Sequence, residues 1–242
     1  MTTAQLPPPD TDDMVSVHNV FRDVLSAAPS LVDAPAASDA GRAAMLKNFY
    51  ENILAFLAVH HQGEDELMFP LLRDRAPEQQ EMVQRINAQH HDVDELVAES
   101  NAALAAWAPG DTVAAHSVAD ALARLGDGLS EHLGEEETYI LPLAAAHMTL
   151  PEWGALPAHG MMHFNGDKVW LILGLIRQRM TQKQRDEMLA HMPPPAVEMW
   201  TGFGEAAYLE LMSQVGPPLA IPVQRDSTRS SSAANPTSNT AS

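Results

Sequence analysis

The sequence predicts an all-α protein: an up-down-up-down four-helix bundle followed by a helical C-terminal extension. Three observations support this. Four long stretches carry apolar residues at helical spacing, no stretch alternates with the two-residue period of a strand, and the bundle connections after the first are short. Four parts are therefore predicted: a flexible N-terminus at 1–10, the bundle at 11–146, the extension at 147–216 and a disordered tail at 217–242.

The first helix is predicted to begin at Thr11 or Asp12, because either side chain can cap a helix N-terminus. It is expected to end near Ala28. His18 within it is flanked by apolar residues at −4, +3 and +7, so this histidine should face the core. The stretch 29–39 contains prolines and small residues and predicts a loop.

The second helix is predicted to begin after Ser38 or Asp39, either of which can cap it, and to run to about Arg73. Pro70 lies near its end. Because proline lacks a backbone N–H and its ring clashes with the preceding turn, we expect Pro70 to kink or close the last turn.

The third and fourth helices complete the predicted bundle. Pro77 suits the first turn of a helix that runs to about Ala106. After a turn, Asp111 or Thr112 can cap a fourth helix that ends near Leu141.

A capping box at Thr149 starts the extension, in which four helical stretches are predicted. Its methionines and tryptophans allow two interpretations. It is either a cap packed on the bundle, with methionine filling gaps, or a lid that shapes access to a cavity. The four stretches are expected at about 152–164, 166–179, 182–191 and 196–215.

The most informative feature is a phrase that occurs twice, as HHQGEDELMFP at 60–70 and as HLGEEETYILP at 132–142. In both copies a histidine is followed by glutamate four residues later and by proline ten residues later. Side chains four residues apart on a helix share one face and meet. Each phrase therefore directs one imidazole and one carboxylate at the same point.

The first and third helices each add one core-facing histidine, but adjacent histidines leave a choice. Aligning the two phrases favours His60 over His61. An apolar residue at +3 favours His90 over His91. The other histidine of each pair is then either a neighbour of the ligands or a surface residue.

Six side chains are thus predicted to converge in the bundle core, where leaving them without partners would be very costly. A structural zinc site needs only four ligands. Four imidazoles and two carboxylates suit two transition-metal ions bridged by the carboxylates, with iron or manganese the natural choice. The predicted metal ligands are His18, His60, Glu64, His90, His132 and Glu136.

Composition and missing motifs exclude several other functions. The 32 acidic against 14 basic residues, a net charge of −18, disfavour nucleic acid as a partner. The absence of cysteine excludes thiolate metal sites, iron–sulfur clusters and disulfides. No HExxH, ExxH, GxSxG, phosphate-loop or dinucleotide-binding motif occurs. With neither a visible signal peptide nor an apolar run of roughly 20 residues, we expect a cytoplasmic protein without a membrane partner.

With these residues identified, the chain resembles the hemerythrin family in its bacterial hemerythrin-like (HHE domain) branch, actinobacterial type. The resemblance covers about residues 11–146. The tripeptides MFP and ILP after the glutamates also resemble the sequences found at this point in the family. It implies a pair of Fe ions with an oxo or hydroxo bridge. The family's order of His, HxxxE, His and HxxxE is matched by His18, His60 with Glu64, His90, and His132 with Glu136.

The sequence departs from the oxygen-carrying hemerythrins on the third helix. Those proteins carry HxxxH there and thus five histidines, whereas this chain has Asp94 four residues after His90. This argues against plain reversible oxygen carriage. Asp94 is interpreted as a weak extra ligand, as a hydrogen-bond acceptor beside the ligands, or as a solvent-exposed residue.

Counting coordination positions leads to the expected function. Two six-coordinate irons offer about 12 positions, and four imidazoles, two bridging carboxylates and one oxo or hydroxo bridge leave about two open. We expect a non-heme di-iron protein that binds a small diatomic or peroxide ligand: O2, NO or peroxide. The alternatives are a catalase-like enzyme that disproportionates hydrogen peroxide at the same site, and iron handling or sensing. Tyr139 either lines the ligand pocket, donates a hydrogen bond there or packs in the core. The extension buries either against itself or against a second copy of the chain in a homodimer.

Overall fold

The computed structural model describes residues 8–33 and 39–219, and within these ranges it is helical without strands. The predicted all-α class is therefore confirmed. The expectations for a flexible N-terminus, a Ser38 cap and a disordered tail fall largely or wholly outside the described residues. Eight helices, numbered here in chain order, make up the described part.

Helix α1, Asp12–Val32, is longer than predicted. Pro29 lies inside it, so the prediction of a loop from residue 29 was wrong. An internal proline costs about 3 kcal/mol, but the turn that follows buries Leu31 and Val32 completely. Burying each of these side chains contributes roughly 1.5–3 kcal/mol, which offsets the cost of the proline.

The cap of α1 also differs from the prediction. The side chain of Thr11 accepts no capping hydrogen bond. Instead, the carboxylate of Asp10 accepts from the backbone N–H of Asp12 at 3.1 Å. The predicted caps Asp39 and Asp111 do accept backbone N–H groups of the following helices, from Arg42 and from Val113 and Ala114.

Helices α2 and α4, which carry the repeated phrase, span residues 40–75 and 112–147. Each contains a π-helical turn of five residues, Glu64–Met68 in α2 and Glu136–Ile140 in α4, that begins at the glutamate of the phrase. The α-helical segments on either side are Ala40–Gly63 and Phe69–Arg75 in α2, and Thr112–Glu135 and Leu141–His147 in α4.

These wide turns explain why the prolines of the phrase do not end the helices. Pro70 and Pro142 each occupy the second position of the segment that follows the π-helical turn. A proline is tolerated in the first turn of a helical segment, where its missing N–H costs little. The predicted end of the fourth helix near Leu141 was therefore wrong, because α4 continues to His147.

Helix α3 is Gln80–Ala106, preceded by the 3-10 turn Pro77–Gln79. The four helices pack as a bundle in which α4 lies between α1 and α3, and α2 contacts both α1 and α3. The core divides into two apolar clusters at different levels of the bundle. Along α3, for example, Ile86 belongs to one cluster and Val93 to the other, and His90 lies between them.

The extension packs on the bundle and consists of four helices, α5 to α8, which are Leu150–His163, Val169–Arg179, Gln182–His191 and residues 194–215. Helix α5 contacts α2 and its π-helical turn, α6 contacts α1 and α2, and α8 packs on α6. The predicted capping box is present at Thr149 and Glu152. Within the described residues, none of the helices combines the length and apolar character that a membrane crossing requires. Helix α8 contains a π-helical turn at Trp200–Gly204.

Candidate metal centre

All six predicted ligands are directed into the bundle at the level between the two apolar clusters. A seventh side chain, His61, joins them and is only 2% exposed. The histidines come from all four bundle helices, and the carboxylates come from the first residues of the two π-helical turns. Both phrases therefore place their imidazole and carboxylate in one cluster.

The first half of this cluster contains His18, His60, Glu64 and Glu136, whose ligand atoms lie within 4.8 Å of one another. The His60 Nε2 lies 3.2 Å from Glu64 Oε1. From α1, the His18 Nε2 lies 3.5 Å from Glu136 Oε2. Two nitrogens and two carboxylates thus surround a common point.

The second half contains His61, His90 and His132, whose ligand nitrogens also lie within 4.8 Å of one another. Here His90 Nε2 is 3.5 Å from Glu64 Oε2, and His132 Nε2 is 3.7 Å from Glu136 Oε2. Each glutamate therefore lies next to both halves. The arrangement offers two adjacent groups of donors joined by two carboxylates.

Three of the histidines are oriented by acceptors outside the cluster. The Nδ1 of His18 is 2.9 Å from Glu137, and that of His90 is 2.8 Å from Asp65. Gln89 lies 3.1 Å from Nδ1 of His132. When Nδ1–H donates to these oxygens, Nε2 keeps its lone pair and points it into the cluster.

Sequence reasoning missed these acceptors, although a local signal existed. Asp65 directly follows Glu64, and Glu137 directly follows Glu136, so each copy of the phrase has a second acidic residue. Each reaches a neighbouring helix: Asp65 of α2 contacts His90 of α3, and Glu137 of α4 contacts α1.

The nitrogen and oxygen atoms that face into the cluster, where they could bind a metal ion, have no hydrogen-bond partner among the described residues. Burying polar groups without partners costs several kcal/mol, so such a set calls for an explanation. Neutral imidazole nitrogens and carboxylate oxygens are ligands that iron and manganese accept, so the residues fit a metal pair. The orphaned atoms are Nε2 of His18, His60, His61, His90 and His132, and both carboxylate oxygens of Glu64 and Glu136.

The electrostatics of the cluster also favour a cation. Burial, with a contribution from the nearby Glu136 carboxylate, raises the pKa of Glu64 well above its ordinary value. Burial and neighbouring imidazoles lower the pKa of His60 and bring that of His132 to about 3. His60 and His132 are thus held neutral, as metal ligands must be, and the burial of Glu64 without a compensating positive charge favours a bound cation.

Three further predictions concern residues at the edge of this site. His90 faces the cluster, whereas His91 has an 80% exposed side chain. Asp94 is exposed, so the acceptor role considered for it belongs to Asp65. Tyr139 is 45% exposed, so it does not pack in the core, and its role as a pocket residue stays a prediction. The reason for the exposure is the π-helical turn, whose wider backbone rotates the third residue after the glutamate away from the bundle interior.

Comparison with known proteins identifies a domain over this part of the chain. The family model for the hemerythrin HHE cation binding domain matches residues 10–144. This span is more than half of the 242 residues and contains every residue of the cluster. Neither the curated proteins nor the solved structures yield a match.

Proposed function

The chain belongs to the hemerythrin HHE cation-binding domain family, and we propose that it is a non-heme di-iron protein that binds O2, NO or peroxide. The observation that carries this proposal is the set of buried donor atoms without partners, divided into two adjacent groups joined by Glu64 and Glu136. A single ion would leave part of this set uncompensated, whereas two ions would use both groups.

Each residue has a distinct part in holding the pair. His18 and His60 would hold one iron, His90 and His132 would hold the other, and the two glutamates would contribute an oxygen to each. Glu64 supports this role most directly, because its Oε1 lies beside His60 and its Oε2 beside His90.

A bound iron pair supplies redox chemistry and open coordination positions for a small ligand. The chain supplies a dry, narrow environment for it. The ring of Phe21 lies 5.3 Å from that of His60, and the ring of Phe69 lies 5.4 Å from that of His90. These rings, together with the burial of the clustered side chains, limit contact with bulk water and favour a small ligand over a larger substrate.

A cavity elsewhere in the molecule does not include the cluster. Within the described residues, a cavity of about 1240 Å³ lies between α1, α6 and α8. It is lined by residues such as Val20, Asp23 and Tyr208, and it contains none of the clustered histidines or glutamates. This cavity is therefore not the place where a ligand of the proposed iron pair would bind.

Metal analysis and optical spectroscopy of the full chain test the proposal. We expect two irons per chain after anaerobic loading with ferrous iron, and a change of the absorption spectrum on adding O2, NO or peroxide. One zinc or one iron per chain would contradict the proposal. Sustained O2 release from added peroxide would favour the catalase-like enzyme over the binding protein.

Variants at the shared carboxylates sharpen this test. We expect Glu64→Gln and Glu136→Gln each to lose most of the bound iron, because each removes a ligand from both halves. The metal-free variants should be at least as stable as the parent, since a neutral amide removes the cost of a buried carboxylate. Glu95→Gln on the exposed face of α3 is the matched control and should keep both irons. Retention of both irons in either cluster variant would show that the ligands are misassigned.

A further inference from the structure

His61 is the one histidine of the cluster that was not predicted from the sequence as a ligand, and its position is unusual. It is buried, and its ring stacks on that of His90 with centroids 4.1 Å apart and planes 8° from parallel. The ring of His132 meets it edge-on at 5.3 Å. Together these three histidines place one nitrogen each within 4.8 Å of one another.

Hydrogen bonding does not explain why this imidazole is buried. Neither Nδ1 nor Nε2 of His61 has a hydrogen-bond partner among the residues that the structure describes. His18, His90 and His132, by contrast, each have an acceptor beside Nδ1. A buried imidazole with both nitrogens unpaired is costly, so a partner that occupies one nitrogen would remove much of the cost.

The backbone of α2 explains how two adjacent histidines both reach the cluster. Glu64 is four residues after His60 and three after His61, and both spacings bring side chains together on a helix. The two rings therefore lie on either side of one carboxylate. His60 lies with the first half of the cluster, and His61 lies with the second.

We propose that His61 is a fifth imidazole ligand, which completes the half of the metal centre formed by His90 and His132. The proposal rests on the proposed function, because it assumes the iron pair. It makes the halves unequal, with three imidazoles in one and two in the other. By the coordination count used above, the open positions fall from about two to about one, and the remaining one belongs to the half that contains His18 and His60.

The test compares His61→Ala with the matched control His91→Ala in the full-length, iron-loaded chain, with azide alone as the probe. The parent should bind one azide per diferric pair, and His61→Ala should bind two. His61→Ala should also lose iron to a chelator about 10–100 times faster, and added imidazole should reverse both changes. His91→Ala should behave as the parent, because its side chain is exposed.

The outcomes separate this proposal from the one on which it rests. A parent chain without an iron pair overturns both. An iron pair in the parent, with the same azide stoichiometry and iron loss in His61→Ala, overturns the role of His61 alone.

A measurement on the parent covers the case in which His61→Ala does not fold. In the proton spectrum of the diferrous chain, each ligating imidazole contributes one exchangeable, strongly shifted ring N–H resonance. Five such resonances are expected, and four would overturn the proposal.

Discussion

At the scale of single residues, the cluster depends on acceptors that keep the imidazoles in one orientation. The carboxylate of Glu137 shows the strength of these contacts. Burial alone would raise its pKa, but hydrogen bonds from His18 and from Arg22 at 2.7 Å outweigh burial and lower the pKa to about 2. This carboxylate therefore stays charged at neutral pH and continues to accept from His18.

Asp65 provides a test of this orienting role. We expect Asp65→Asn to weaken iron binding by about 10–100-fold, because the amide is a weaker acceptor for Nδ1–H of His90. Chelator competition on the purified chain measures the change.

Asp94→Asn is the control for the Asp65 variant, since Asp94 was interpreted from the sequence as a ligand, an acceptor or an exposed residue. It is exposed, so its substitution should leave iron affinity unchanged. Equal losses in the two variants would mean that both carboxylates act through the surface charge of the protein and not through contact with His90.

At the scale of helices, the π-helical turns connect the glutamates to the prolines of the repeated phrase. Each turn inserts a wider segment at the point where the carboxylate enters the cluster, and the proline follows within the next segment. The helix therefore continues beyond a residue that normally ends it. Turns of this kind are frequently found at functional sites, and both lie at the proposed metal centre.

Pro29 lies inside α1 without a π-helical turn before it, and it allows a test at this scale. We expect Pro29→Ala to raise the free energy of unfolding by about 1–3 kcal/mol. The alanine N–H restores a helical hydrogen bond, and the gain is reduced by the greater freedom of the unfolded chain. Urea unfolding of the metal-free protein measures the effect.

The comparison for Pro29→Ala is Pro157→Ala, because Pro157 also lies inside a helix, α5. Pro157→Ala should also raise the free energy of unfolding. A loss of stability in Pro29→Ala would indicate that the helix ends before residue 29, as the sequence pattern had suggested.

At the scale of the whole molecule, the extension and the bundle form a continuous packed structure around the metal-binding level. Helix α5 lies against the π-helical turn of α2, where His159 Nε2 is 3.3 Å from Glu66. In addition, methionines of α5, α7 and α8 pack against the main apolar cluster. This packing favours the interpretation of the extension as a cap.

Gly174 tests whether this cap is needed for metal binding. A Cβ at this position would overlap the ring of Tyr208 where α6 meets α8. We expect Gly174→Ala to destabilise the extension and expose it to limited proteolysis. The absorption spectrum of the iron-loaded protein should persist, because every histidine and glutamate of the cluster lies in the bundle.

Gly154→Ala is the matched control, since a Cβ there meets nothing within 4 Å. It should stabilise α5 by roughly 0.5–1 kcal/mol, the gain of alanine over glycine in a helix. Loss of the iron spectrum in Gly174→Ala alone would mean that the extension supports the metal centre directly.

The sequence by itself determined the all-α class, the hemerythrin resemblance that the family match confirms, and the inward direction of His18, His90 and the two His–Glu pairs. These features follow from the period of a single helix, which is a local property. The tertiary structure decided that His61 enters the cluster, that Asp65 and Glu137 orient histidines of neighbouring helices, and that Tyr139 faces outward. Those outcomes depend on how helices lie against one another and on two π-helical turns, which periodicity along one helix does not encode.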